Sequence, residues 1–299
     1  MFAKKIDIHS HVTMWPDTTP PFPRSGQTFL RMEDQMKLWD EINVQHGVLL
    51  PIVAPDKQWM TMSNEACHDR ASQNPQRLSW FCNVDPRAAD NTPNSDLSYI
   101  IEFYKNLGAK GVGELTSHLY ADDPKMDNLF YHCAACEMPV IIHIAPKPDG
   151  YYGIIEDPGL PRIEKMLKMH PNLKLIGHSA SFWSEIGEYD PAQRNGYPTG
   201  KVIEGRMPKL MREYGNLYCD LSAGSGSNAL MRDPEYAASF ITEFADRIYF
   251  GCDLCSPDAT FHLKFAQFLQ DLADTGAISQ EDYRKICWDN AAKLLDLQA

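Results

Sequence analysis

The chain has 299 residues, 43% hydrophobic and 23% charged, which excludes a disordered, collagen-like or disulfide-stapled protein. A net charge of −12 disfavours binding to a phosphate backbone, which needs concentrated Lys and Arg, and to anionic membrane surfaces. No run approaches the roughly 18 apolar residues of a membrane span.

The N-terminus, Met1-Phe2-Ala3-Lys4-Lys5, lacks the apolar centre of a signal peptide. The expected setting is cytoplasmic, with a small-molecule substrate and neither nucleic acid nor membrane as partner; homo-oligomerisation is left open. Eight apolar, β-rich runs follow one another at 5–9, 45–53, 78–84, 109–115, 140–144, 173–177, 216–221 and 248–251. They are hydrophobic nearly throughout, as strands buried on both faces are. Their spacing leaves room for a crossover helix between parallel neighbours.

Helical periodicity fills the intervals. Segment 33–42 aligns Met36, Trp39 and Ile42; 97–107 carries Ile100, Ile101, Tyr104 and Leu107; 161–170 aligns Ile163, Met166 and Leu167. Phe240 and Phe244 mark another helix, Phe265, Phe268 and Leu272 a further one, and Ser279 opens the last as an N-cap. Eight β-α units without a break in composition predict an α/β protein with a single (β/α)8 TIM barrel over 1–299. A doubly wound sheet is disfavoured, because no G-x-G-x-x-G follows the first strand. Gly224-Ser225-Gly226 lacks the third glycine and reads as a flexible active-site loop. Long loops are expected after strands 1 and 6, at 12–31 and 179–214, where barrel enzymes shape substrate pockets.

The eight cysteines read as small buried hydrophobes. The pairs Cys133/Cys136 and Cys252/Cys255 lack a second pair at zinc-finger spacing, so neither a disulfide nor a structural zinc is expected.

The chemistry gathers at strand ends. Strand 1 ends Asp7-Ile8-His9-Ser10-His11, strand 4 Gly113-Glu114-Leu115, strand 5 Ile142-His143, strand 6 Gly177-His178 and strand 8 Gly251-Cys252-Asp253. In a barrel these positions form the catalytic rim. His9 and His11, two apart, share a strand face. A single buried histidine is more often a hydrogen-bonded core residue than a ligand. Four histidines and two carboxylates at five strand ends require partners or a metal, and this donor set suits a divalent ion, zinc foremost, with manganese or ferrous iron behind it. His46, His68, His132, His170 and His262 fall elsewhere, and His118 reads as an exposed loop residue after strand 4.

These motifs, with Trp288-Asp289-Asn290-Ala291-Ala292-Lys293-Leu294-Leu295 at the C-terminus, resemble the amidohydrolase superfamily, in its amidohydrolase-related branch that includes aminocarboxymuconate-semialdehyde decarboxylase. The resemblance implies a metal-dependent barrel with His9, His11 and His143 as ligands and Asp253 as ligand and proton acceptor. His178 is implied as a second-metal ligand or a catalytic acid/base. The run Gly111-Val112-Gly113-Glu114-Leu115 is similar to the strand of TatD-like hydrolases whose glutamate bridges two metals, which implies Glu114 as a ligand and leaves one or two ions open. The alternative is a Glu114 that orients a ligand histidine from behind.

The implied reaction is hydrolysis of a small amide, lactone or ester by a metal-activated water, with Asp253 moving the proton. The alternative is non-oxidative decarboxylation of an unsaturated or aromatic acid, with His178 handling the proton. In that reading the metal and Asp253 anchor the acid, and a carboxylate-binding arginine, from Arg24, Arg87, Arg194 or Arg206, would favour it. Trp15, Trp183, Tyr151, Tyr152 and Tyr197 are the aromatic residues available to wall a ring-shaped substrate.

Overall fold

The computed structural model describes residues 2–22, 26–56, 62–255 and 260–297. Arg24 lies outside them. Among the described residues ten strands occur in the order β1 (Lys5–Ser10), β2 (Val44–Leu49), β3 (Leu78–Trp80), β4 (Val112–Leu115), β5 (Ser117–Tyr120), β6 (Val140–Ala145), β7 (Gly153–Ile155), β8 (Leu175–His178), β9 (Leu217–Asp220) and β10 (Ile248–Tyr249). Eight of them fall within or across the eight predicted runs.

The eight form a closed parallel barrel. β1, β2 and β3 pair in one sheet; β4 pairs β6, and β6, β8, β9 and β10 continue in the other. Cys82 N to Gly111 O (2.9 Å) and Gly113 N to Cys82 O (2.8 Å) join β3 to β4. Ile8 N to Phe250 O (3.1 Å) and Asp253 N to His9 O (2.9 Å) join the last strand to the first. This is the predicted TIM barrel.

Two apolar layers hold it. Between strands and outer helices lies the larger one, which includes Trp39, Phe130, Phe182 and Phe240. Inside the barrel Ile6, Ile8, Val48, Leu50, Phe81, Ile141, Ile176 and Tyr249 pack together, and Ala291 and Leu295 of the C-terminal helix Asn290–Leu295 plug the end away from the rim. Burying each such side chain stabilises the fold by about 1.5–3 kcal/mol.

Some elements differ from expectation. β5 and β7 are additional short strands that pair with each other, and β7 with the end of β6 at Ile144↔Ile154. At three or four residues they carry too little periodicity to be read from sequence. Gly224 and Gly226 lie in the helix Ala223–Met231 rather than a loop; a Cβ at Gly226 would meet the Leu221 carbonyl oxygen at 2.5 Å. Segment 179–214 holds a short helix, Ala180–Trp183, and ends in the crossover helix Arg206–Glu213. All eight cysteines are unpaired. Among the described residues no helix is long and apolar enough to cross a membrane.

Two register shifts matter for the rim. On β1, Asp7 pairs with Gly47 but Ser10 with Leu49, so three steps on β1 match two on β2. On β4, Val112 pairs with Val140 but Leu115 with Ile142, again one residue extra. Such bulges reverse the inward–outward alternation beyond them. Side chains hold the freed backbone groups. Asp7 Oδ1 accepts from His9 N (3.0 Å) and Cys252 N (2.8 Å). Asn83 Nδ2 donates to the Glu114 and Pro51 carbonyls, both at 2.7 Å. Asp7 is fixed in turn by Trp39 Nε1, 2.7 Å from Oδ2. The Trp39 indole lies over Gly47, where any Cβ would overlap it. Gly47→Ala should therefore destabilise the protein by about 1–3 kcal/mol through overpacking, measured by urea denaturation; wild-type stability would mean that the indole moves aside freely.

Candidate metal centre

The bulge on β1 turns His9 and His11 into the barrel, and the bulge on β4 does the same for Glu114. His143 lies on β6, two residues before its end, His178 ends β8, and Asp253 follows β10. All six predicted residues meet at the rim. His9 Nε2 lies 3.2 Å from His11 Nε2 and 3.7 Å from Glu114 Oε1. His11 Nε2 is 3.3 Å from Glu114 Oε2, and His143 Nδ1 is 2.8 Å from Glu114 Oε1. His178 Nε2 stands 3.7 Å from both Glu114 Oε1 and Asp253 Oδ2. Asp253 Oδ1 is 4.0 Å from His11 Nε2. His9, His11, Glu114 and His178 are buried, whereas the Asp253 side chain is 16% exposed.

One contributor was missed. Asp220, the last residue of β9, takes His9 Nδ1 on Oδ2 and His178 Nδ1 on Oδ1, each at 3.0 Å. It is fully buried. The strand-end rule that selected the other six selects it equally, since it closes the apolar run 216–221. His11 Nδ1 is held separately by the Leu50 carbonyl at 2.9 Å.

This donor set fits a divalent cation. Three triads offer ligand atoms within 4.8 Å of one another: His9, His11 and Glu114; Glu114, His143 and His178; His9, His178 and Asp253. Ligand bonds of about 2.0–2.1 Å in a tetrahedron place neighbouring donors about 3.3 Å apart, close to several of the separations above. With Nδ1 committed to the protein, His9, His11 and His178 aim Nε2 inward, as metal-binding imidazoles do.

The electrostatics agree. Burial opposes charge on His9, yet the carboxylates of Asp220, Asp253 and Glu114 raise it to about 10. Burial would raise Glu114, but His143, His9 and His11 hold its carboxyl well below the usual range. Asp220 is lowered in the same way, with His178 and His9 overriding its burial. His143 is lowered by burial despite Glu114. A pocket that holds a proton this firmly on an imidazole also attracts a cation.

The walls are aromatic. Phe29, from the segment after β1, lies 5.2 Å from the His11 ring, and Tyr152 lies 4.2 Å from the His143 ring. Trp183 is buried and donates to the Asp220 carbonyl at 3.0 Å. Trp15 is exposed. His118 sits on β5, with Nδ1 3.4 Å from Asp56.

The amidohydrolase family model matches residues 6–297. The chain belongs to the amidohydrolase family. None of the curated proteins matches this amidohydrolase in sequence. Among solved structures, a zinc-bound amidohydrolase of Burkholderia multivorans is 14% identical, with 99% of this chain and 100% of that one covered and a TM-score of 0.66. An uncharacterised TIM-barrel protein of Bordetella bronchiseptica is 18% identical over 98% and 99% of the two chains, with a TM-score of 0.65. A 2,6-dihydroxybenzoate decarboxylase of Rhizobium is 15% identical over 99% of each, with a TM-score of 0.61. At these identities the likeness is one of fold.

Since metal ligation needs a neutral imidazole, zinc uptake by this amidohydrolase should expel the His9 proton at any pH between 6.5 and about 10. Calorimetric titrations in two buffers of different ionisation enthalpy should give different heats; equal heats would contradict the charged state of His9.

Proposed function

We propose that this amidohydrolase is a zinc-dependent hydrolase of a small amide, lactone or ester, whose two ions would be held by His9 and His11 and by His143 and His178, with Glu114 reaching both sets. The observation that carries the reading is the pairing of triads that share no imidazole. His9 has one lone pair to give, because Asp220 holds its other nitrogen, so His9 serves one ion. The set His9, His11 and Glu114 and the set Glu114, His143 and His178 can then be filled together. Glu114 turns Oε2 toward His11 and Oε1 toward His143.

Ions held there would supply an acidified water and an electrophile for a carbonyl. Asp253 presents Oδ1 on the His11 side and Oδ2 on the His178 side. It is the most accessible of the six donors, placed to take a proton from water and return it to the leaving group. Phe29 and Tyr152 lie against the His11 and His143 rings, where they would offer apolar contact to a substrate.

A guanidinium on the substrate acid would favour decarboxylation. Arg87 is spent on Asp85 and the Ser117 carbonyl, and Arg206 on Glu164. Arg194 donates to the Pro146 and Glu156 carbonyls and pairs with Glu185 at 3.8 Å. Among the described residues Arg87 and Arg206 are thus engaged, which favours hydrolysis; Arg194 Nε and Nη2 have no hydrogen-bond partner, and Arg24 lies outside the described residues.

The test has three parts. Metal analysis should find two zinc ions per chain, with fewer in Glu114→Gln; protein that cannot be loaded would end the metal reading. A panel of lactones, amides and esters should release acid, and His9→Ala should abolish the reaction; carbon dioxide release from unsaturated or aromatic acids without acid release would replace hydrolysis by decarboxylation. In zinc-replete Asp253→Asn, kcat should fall by about 10²–10⁴-fold, the range for loss of a proton-transfer group, and wild-type turnover would remove Asp253 from that role.

A further inference from the structure

The imidazoles of His9 and His178 come from strands on either side of the β10 seam, yet one carboxylate serves both. We infer that Asp220 is a positioning residue that sets the tautomer of both histidines at once, so that the two ligands become competent for metal together. This rests on the metal-dependent reading above.

A carboxylate has acceptor capacity only. With Oδ2 on His9 Nδ1 and Oδ1 on His178 Nδ1, both rings keep a proton on Nδ1, which leaves Nε2 as the nitrogen whose lone pair a metal can take once any proton there has been expelled. Asp220 cannot rotate to favour one ring over the other. Ser222 donates to Oδ1 from its backbone N (3.0 Å) and from its hydroxyl (2.5 Å), and the same hydroxyl oxygen, its proton spent on Oδ1, lies 2.9 Å from His178 Nδ1 as a further acceptor. The Asp220 carbonyl is held by Trp183, and Leu221 N donates to the Tyr249 carbonyl at 2.9 Å. Full burial removes water as a competing partner. The clamp is thus rigid, and its loss strikes two ligands with one substitution.

An amide of the same shape separates this role from mere space-filling. The side chain of Asn offers one acceptor and one donor group. In Asp220→Asn one histidine keeps its Nδ1 proton, while the other faces an NH2, accepts from it through Nδ1 and carries its proton on Nε2, where it cannot bind metal.

Two measurements on whole protein decide the matter. In zinc-loaded wild type, long-range ¹H–¹⁵N correlation of the histidine side chains should place the proton of both His9 and His178 on Nδ1; a proton on Nε2 of either overturns the inference. In Asp220→Asn, zinc affinity measured by chelator competition should fall on the order of 10–100-fold, as when an outer carboxylate is lost from a ligand histidine, and one of the two rings should show an Nε2 proton. A variant that melts like wild type and binds zinc with wild-type affinity overturns the positioning role while the metal reading stands. Wild type that takes up no zinc overturns both. If the variant does not fold, the wild-type tautomers alone decide.

Discussion

In a closed parallel barrel, side chains alternate between the lumen and the helical layer, and only lumen-facing residues at the rim can meet. The centre of this amidohydrolase depends on breaking that alternation twice. Ile6 and Ile8 belong to the inner apolar cluster, and Asp7 reaches outward to Trp39. A regular β1 would send His9 and His11 out beside Asp7. The extra residue between Asp7 and Ser10 turns them inward. On β4, Val112 and Leu115 both pack in the outer layer, and the residue inserted between them frees Glu114 to face the lumen.

A bulge leaves backbone groups without ladder partners, and burying them unpaired costs about 1–3 kcal/mol each. Asp7 and Asn83 satisfy those groups, and each reaches a further element: Asp7 takes the Cys252 amide across the seam, and Asn83 takes the Pro51 carbonyl beyond β2. The devices that form the bulges therefore also hold neighbouring rim segments in place. Gly47 belongs to this chain of causes, since its bare Cα lets Trp39 reach Asp7.

The charges follow the same economy. Glu114, Asp220 and Asp253 sit among four imidazoles in a space with little water, where an isolated carboxylate would be neutralised. Asp220 faces the Nδ1 side of two rings and Glu114 the inner side, so each histidine in contact with both is polarised from back to front. Around this polar core, Phe29 and Tyr152 supply the low-dielectric wall that strengthens every charge inside it. The β5 and β7 pair extends the sheet past the end of β6, and Tyr152 stands immediately before β7.

The sequence alone determined the eight strands, their parallel order and six of the seven residues at the rim, because continuous apolar runs interrupted at one end by a histidine or carboxylate leave a local signature. It determined that His9 and His11 share a face, but not which face, since Ile6 and Ile8 occupy the other parity and the bulge between them and the rim is set by pairing with β2. Asp220 was legible by the same strand-end pattern, but its partners were not, for His9 and His178 are far from it along the chain. Nor could sequence reveal that Arg87 and Arg206 are already paired, because an arginine's availability depends on which carboxylates and carbonyls the fold brings beside it. Residue chemistry and its period are local properties; register, the parity it imposes and the partners of buried charges are decided only when the barrel closes.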